Sequence, residues 1–249
     1  MICSHQLTKY LRFPTLSVIL AANLGITAID APTLAQTTTV SSVKNSVNFT
    51  CNDTEATIKA QNGAKVTSGT TTMYIGYQQV SSEKKDPRII RFDNGVKTWC
   101  RNNYVTTGNG GSGYGLLWDG VSVLYGVFSS TGNNFQNYTT GWLTSYGSGG
   151  GPKVAVIARI NPANGDIQDA TFLIAKILSG ESNNLIVKSL SWDDTNLTLT
   201  VQSDSWWRPL RPDKSPMNCP ASSSFPLTYT TVFTSNLKTV SSASATGCS

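Results

Sequence analysis

The stretch VAVIARINPANGDIQDATFLIAK, residues 154–176, decides how the rest of this chain reads. Residues 154–160 are apolar almost to their end, which suits a strand covered on both faces. Asn-Pro-Ala-Asn-Gly-Asp follows, and Gly, Asn and Asp are the residues that tolerate the backbone angles of tight turns. A second apolar run then begins at Ile167 and carries Ala170, Phe172 and Leu173. The whole therefore reads as an antiparallel hairpin of two buried strands. Asn161, Asn164, Asp166 and Asp169 also offer the oxygen donors a calcium ion accepts. Their spacing fits neither an EF-hand loop nor a repeated calcium-binding turn, so turn chemistry accounts for them better.

Working outward, the same alternation of short β-branched or aromatic runs with Gly, Asn and Asp clusters fills the chain, and helical periodicity is nearly absent. It predicts strands over 71–79, 88–92, 96–100, 115–118, 122–128, 154–160, 167–173, 184–192, 197–202 and 227–233. Asp93-Asn94-Gly95, Asp119-Gly120 and 193–196 supply further turns. The fold class is all-β, built from antiparallel hairpins.

Laid side by side, the hairpins look like degenerate repeats. GLLWDGVSVLYGVFSSTG (115–132) gives a strand, an Asp-Gly turn and a strand ending in Gly, and 154–173 supplies the second hairpin of such a unit. MYIGY (73–77) followed by RIIRFDNGVKTW (88–99) repeats the order, and SLSWDDTNLTLT (189–200) starts it again. These units resemble the four-stranded blades of bacterial exported β-propellers, which pair an apolar–Asp-Gly–apolar hairpin with a second hairpin turning at Asn-Pro-Asp-Gly. The resemblance spans 72–202 and implies a radial β-propeller-like array of about four or five blades of roughly 45 residues. Residues 36–70 and 203–249 match the repeat poorly. A two-sheet β-sandwich of the same hairpins is the alternative.

Residues 1–35 read as a signal peptide: Lys9 and Arg12 precede an apolar run from Leu16 to Ile29, and Thr33-Leu34-Ala35 offers a cleavage site. That run is shorter than the roughly 20 residues a bilayer span needs, so a mature chain over 36–249, a single all-β domain with no membrane span, is expected. Export takes Lys9, Arg12 and Asp30 from the 19 basic and 14 acidic residues, leaving 17 and 13, a net of +4. So mild and scattered a charge gives no reason to expect nucleic acid as a partner. The basic concentration at Lys84, Lys85, Arg88, Arg91, Lys97 and Arg101 reads as a solvated strand edge guarded by cations.

Cys51, Cys100, Cys219 and Cys248 remain after export, an even number that suits two disulfides. Of the three connectivities, Cys51 with Cys100 and Cys219 with Cys248 close the shorter loops and cost less entropy. The sole histidine, His5, lies in the signal stretch, so histidine-dependent triads and histidine metal sites fall away. Gly108-Asn109-Gly110-Gly111-Ser112-Gly113 matches GxGxxG in form, but strand-like residues follow where a dinucleotide site needs a helix. No cofactor is expected.

The strongest binding signal is DSWWRPLRPDK, residues 204–214. Trp206 and Trp207 with Arg208 and Arg211, in a proline-stiffened loop, suit stacking on sugar rings or docking on an anionic partner. The expectation is a secreted or periplasmic, disulfide-stapled module at the cell surface or outside the cell. It would bind a ligand or partner, with carbohydrate or a surface protein as candidates, or play a structural role. The alternative is a carboxylate-dependent enzyme acting on polysaccharide, drawing on Asp119, Asp166, Asp169, Asp193, Asp194 or Asp204.

Overall fold

A computed structural model describes residues 39–105, 110–131, 135, 138–149, 154–220 and 224–249, all within the compact unit Thr37–Ser249. The signal reading of residues 1–35 lies outside the described residues. The chain begins with β1 (Val40–Val43) and a six-residue helix, α1 (Glu55–Ala60). Thr54 caps this helix by accepting the Thr57 N–H, Glu55 and Lys59 complement its dipole, and Ile58 is its buried residue. One sheet then runs β2 (Lys65–Ser68), β3 (Thr71–Gln79), β4 (Lys85–Asp93) and β5 (Val96–Arg101), each strand antiparallel to the next.

A second sheet runs β6 (Gly111–Trp118), β7 (Leu124–Ser130), β8 (Val154–Ile160) and β9 (Ile167–Leu173), with β1 added outside β6. Two short strands, β10 (Ala175–Lys176) and β11 (Ser182–Asn183), come next, followed by β12 (Leu185–Asp193) and β13 (Thr198–Ser205). β14 (Arg208–Pro209) returns to pair with β10, and β15 (Leu227–Thr234) and β16 (Val240–Ala245) complete a third large sheet in the order β12-β13-β15-β16. The protein is all-β with antiparallel sheets, none of them closed into a barrel. Each of the ten predicted strands is present.

One hydrophobic cluster joins the three large sheets, drawing Ile75 and Ile89 from the first, Val127, Ile157 and Phe172 from the second, and Leu190, Leu199 and Phe233 from the third. β8 is covered on both faces, as its apolar run requires: Val154, Ala155, Val156, Ile157 and Ala158 are all buried. β6 is the strand on which the sheets converge, packing against β3, β4 and β12. Gly113 makes this approach possible. A Cβ there would stand 2.2 Å from Ile75 Cγ1, nearer than any real contact. The second half of the GxGxxG match is therefore a packing device within a strand.

The 154–176 hairpin forms as expected, with Ile160 opposite Ile167, but its turn is longer than an Asn-Gly pair. Asn161 N–H donates to the Asp166 carbonyl at 2.8 Å, and the Gly165 N–H returns to the Asn161 carbonyl at 2.8 Å. The two-residue Asn-Gly turn instead sits at Asn94 and Gly95, with φ of 52° and 76°. The 161–166 turn docks on the first sheet. Arg91 Nη1 and Trp99 Nε1 donate to the Pro162 carbonyl at 2.8 and 3.0 Å, and Arg101 pairs with Asp166.

That docking changes the reading of the basic run. β4 lies between β3 and β5, so its arginines do not stand on an edge. Arg88 is only 2% exposed, and burial pushes its guanidinium pKa down against the opposing pull of Asp86 and Asp53. Arg91 and Arg101 grip the neighbouring sheet's turn, while Lys84 and Lys97 remain at the surface.

The disulfides are Cys51–Cys100 and Cys219–Cys248, the short-loop pairing. The first ties the turn before α1 to β5, beside a small second cluster of Phe49, Ile58, Tyr74, Ile90 and Phe92. The second ties the segment after β14 to the chain's last residues, where Asn218 and Ser249 exchange two backbone hydrogen bonds.

Candidate ligand-binding surfaces

β13 ends at buried Ser205, whose hydroxyl donates to the Trp207 carbonyl at 2.7 Å. The chain bends here and re-enters a sheet at β14. Trp206 and Trp207 form the bend, 37% and 36% exposed. On a continuous strand they would face opposite ways. In the bend both reach solvent. Phe225, 41% exposed, comes from a distant segment and sets its ring 5.9 Å from that of Trp207 at 42°. Sequence reasoning missed Phe225. Its only local mark was an aromatic residue before Pro226 in a serine-rich run without strand alternation.

The two arginines do different work from the rings. Arg208 Nη2 donates to the Ile177 carbonyl at 3.2 Å. Arg211 donates to the carbonyls of Pro216 and Ser249, and its N–H to the Ser215 carbonyl at 2.8 Å. Both guanidinium groups thus hold main chain in place. The structure sets Trp207 against Phe225 with Trp206 beside it in the bend, and turns Arg208 and Arg211 toward backbone.

A groove runs elsewhere on the same β12–β13 end. Three pockets of about 180, 280 and 170 Å³ share lining residues in sequence: Lys44, Asn45, Tyr114 and Ile186 link the first to the second, and Ser112 and Ser129 link the second to the third. Its walls come from the exit of β1, the start of β6, the end of β7, the start of β12 and the β3–β4 hairpin. Leu185 lines it and pairs with Ser205, the residue just before Trp206. Burial pushes the Tyr114 phenol pKa up to about 12, against the pull of the Val187 N–H it accepts at 3.3 Å. Its own O–H has no acceptor among the described residues. The side-chain amides of Asn45 and Asn184 likewise have no described partner.

The carboxylates weighed for catalysis serve turns and ion pairs. Asp119 Oδ1 accepts from the N–H groups of Val121, Ser122 and Val123 at 2.8–2.9 Å. Asp193 accepts from Thr195 and Asn196, Asp194 from Trp192 Nε1, and Asp204 pairs with Lys188 at 3.3 Å. Asp166 meets Arg101, and Asp169 accepts from Thr140 at 3.2 Å. The oxygen donors of the 161–166 turn are spent in the same way, on the Ala163 and Asp166 N–H groups.

Among the described residues, Lys176 and Ser182 form a nucleophile-like pair, with Nζ 2.9 Å from Oγ and the ammonium pKa pushed down by burial. The Ser182 hydroxyl donates onward to the Tyr146 carbonyl. Lysine donates to serine and serine to backbone, the reverse of the proton flow an activated serine needs. The pair fastens the 146 loop to β10 and β11.

Set against protein-family models and curated proteins, the sequence matches none. The functional reading therefore rests on these surfaces alone.

Proposed function

We propose that the chain is an exported β module that binds carbohydrate at the cell surface or outside the cell, with Trp206, Trp207 and Phe225 as a stacking platform. The observation that carries this reading is the exposure of Trp206 and Trp207 at one bend with Phe225 set against Trp207, while Trp118 and Trp142 are buried at 4% and 3%. Indole faces pack well against the C–H faces of pyranose rings, and rings held by rigid strands lose little entropy on binding. Two disulfides suit an oxidising compartment, and no helix among the described residues is long and apolar enough to cross a membrane. The export signal of residues 1–35 belongs to the same reading.

A propeller-like arrangement is part of the proposal. It is supported by the runs of consecutive antiparallel strands β2-β3-β4-β5 and β6-β7-β8-β9, and by the third sheet's order β12-β13-β15-β16, which skips only the short β14. The packing of β1 and β6 near β2 and β12, the first strands of the other two sheets, supports it further.

A glycan array followed by calorimetry on Trp206→Ala and Trp207→Ala tests the function. Binding weakened by about tenfold or more at an unchanged melting temperature is the expected result. Undiminished binding in both variants, or release of reducing sugar by the wild type, overturns it.

A further inference from the structure

We infer that the groove between β1, β6 and β12 is a second binding site, for an acidic oligosaccharide whose carboxylates meet Lys44, Lys85 and Lys188. The inference uses none of the platform's rings and stands apart from the platform's role.

Three observations converge on it. The first is shape: three shallow pockets of about 180, 280 and 170 Å³, each sharing lining residues with the next, suit an extended chain of small rings rather than one enclosed ligand. The second is the chemistry of the walls. The Tyr114 phenol accepts from the Val187 N–H but donates to no described acceptor, and the side-chain amides of Asn45 and Asn184 have no described partner. Ser112 and Ser129 are held 2.8 Å apart, and Ser46 is fixed to the Gly113 carbonyl at 2.6 Å. Sugar hydroxyls both donate and accept, so they match such a mixed surface, and Ile186, 43% exposed, offers an apolar contact for a ring face.

The third observation is charge. Lys44, Lys85 and Lys188 line the groove, with Glu83 the one acid among its described lining residues, and Lys188 forms an ion pair with Asp204 at 3.3 Å. Lys44 rests on the neutral Asn62 amide at 2.7 Å, and Lys85 lies over the Tyr77 ring at 4.3 Å. Set against Glu83 and Asp204, the three lysines leave an excess of one positive charge, which suits sparsely spaced carboxylates. It is too small for the dense phosphates of a nucleic acid, whose bases would also want stacking rings along the track.

The test uses the full chain with three probes of matched length: an oligogalacturonate, a neutral gluco-oligosaccharide and poly-glutamate. The oligogalacturonate is expected to bind, and to weaken by about tenfold between about 0.02 and 0.2 M salt. The Lys44→Ala/Lys188→Ala variant should lose about tenfold or more, Lys44→Arg/Lys188→Arg should restore most of it, and Tyr114→Phe should weaken binding at unchanged salt dependence. In a Trp207→Ala background, which disables the platform, oligogalacturonate should still bind with the same dependence on Lys44 and Lys188. Absence of oligogalacturonate binding, equal binding of poly-glutamate, or indifference to the lysine variants overturns the inference. The platform's own success or failure is read separately, from the neutral probe and Trp207→Ala.

Discussion

Tyr104 donates its phenolic O–H to the Gly165 carbonyl at 3.0 Å, across the boundary between the first and second sheets. Tyr104 is 2% exposed, and its phenol pKa is raised by burial. The 161–166 turn is thus a structural clasp. Trp99 and Arg101 close around Gly165 so tightly that a Cβ there would meet Arg101 Cγ at 2.4 Å, and its φ of +78° already disfavours any side chain.

Two substitutions separate these contributions. Tyr104→Phe keeps the ring and leaves the carbonyl unpaired, so a loss of about 1–2 kcal/mol is expected. Gly165→Ala adds backbone strain and a clash, and should cost about 2–4 kcal/mol. Urea denaturation of both variants checks the order. Equal, negligible losses would mean the turn does not hold the sheets together.

Asp93 makes a prediction about pH. Burial pushes its carboxyl up, but hydrogen bonds from Arg91, Thr71 and Thr98, with the Arg91 charge, outweigh that and hold it at about 2. An unfolded aspartate titrates at roughly 3.9, so the folded pKa is depressed. The stabilisation is then complete above about pH 4 and is lost as pH falls toward 2. Asp93→Asn should cost about 1–2 kcal/mol at neutral pH and flatten the acid limb of the stability profile. Melting temperatures of both proteins across that window provide the check; parallel profiles would contradict it.

The parts of the fold that were legible in sequence are those with strong alternation. β8 and β9 were found to the residue because Val, Ile and Phe mark both faces of a buried strand. β1 (VSSV), β2 (KVTS) and β16 (VSSASA) went unseen, since short runs of small hydroxyl residues carry almost no apolar signal. α1 is too short to show a helical period and went unread. For the surfaces the limit was distance along the chain. Trp206 and Trp207 are adjacent and could be read, but Phe225 joins them from another segment, and the groove gathers five segments that no local pattern connects.

The disulfides should differ in weight. Cys51–Cys100 closes a separation of 49 residues and Cys219–Cys248 one of 29. Chain entropy alone assigns about 4 and about 3.5 kcal/mol to them, a small gap. Packing does not widen it, because Cys100 lies against the Phe49 and Ile58 cluster while Cys219 and Cys248 both lie against the large core, so loop length sets the order. Paired Cys→Ser replacements, followed by thermal unfolding, should show the Cys51/Cys100 variant as the less stable. The reverse order would place the greater structural demand at the C-terminus.

Arg208 and Trp207 are neighbours with opposite expected phenotypes. The Arg208 guanidinium reaches the Ile177 carbonyl, and its strand pairs with β10, so Arg208→Ala strips a charge-assisted bond from the junction of β10 and β14. A loss of about 1–3 kcal/mol is expected, since the freed carbonyl belongs to a half-buried turn. Trp207→Ala removes a ring that touches Phe225 and solvent, and should cost under about 1 kcal/mol. Urea midpoints of the two variants, measured beside binding to a neutral oligosaccharide, distinguish strut from platform. Arg208→Lys at full stability with weakened binding would move the guanidinium from backbone support to the ligand.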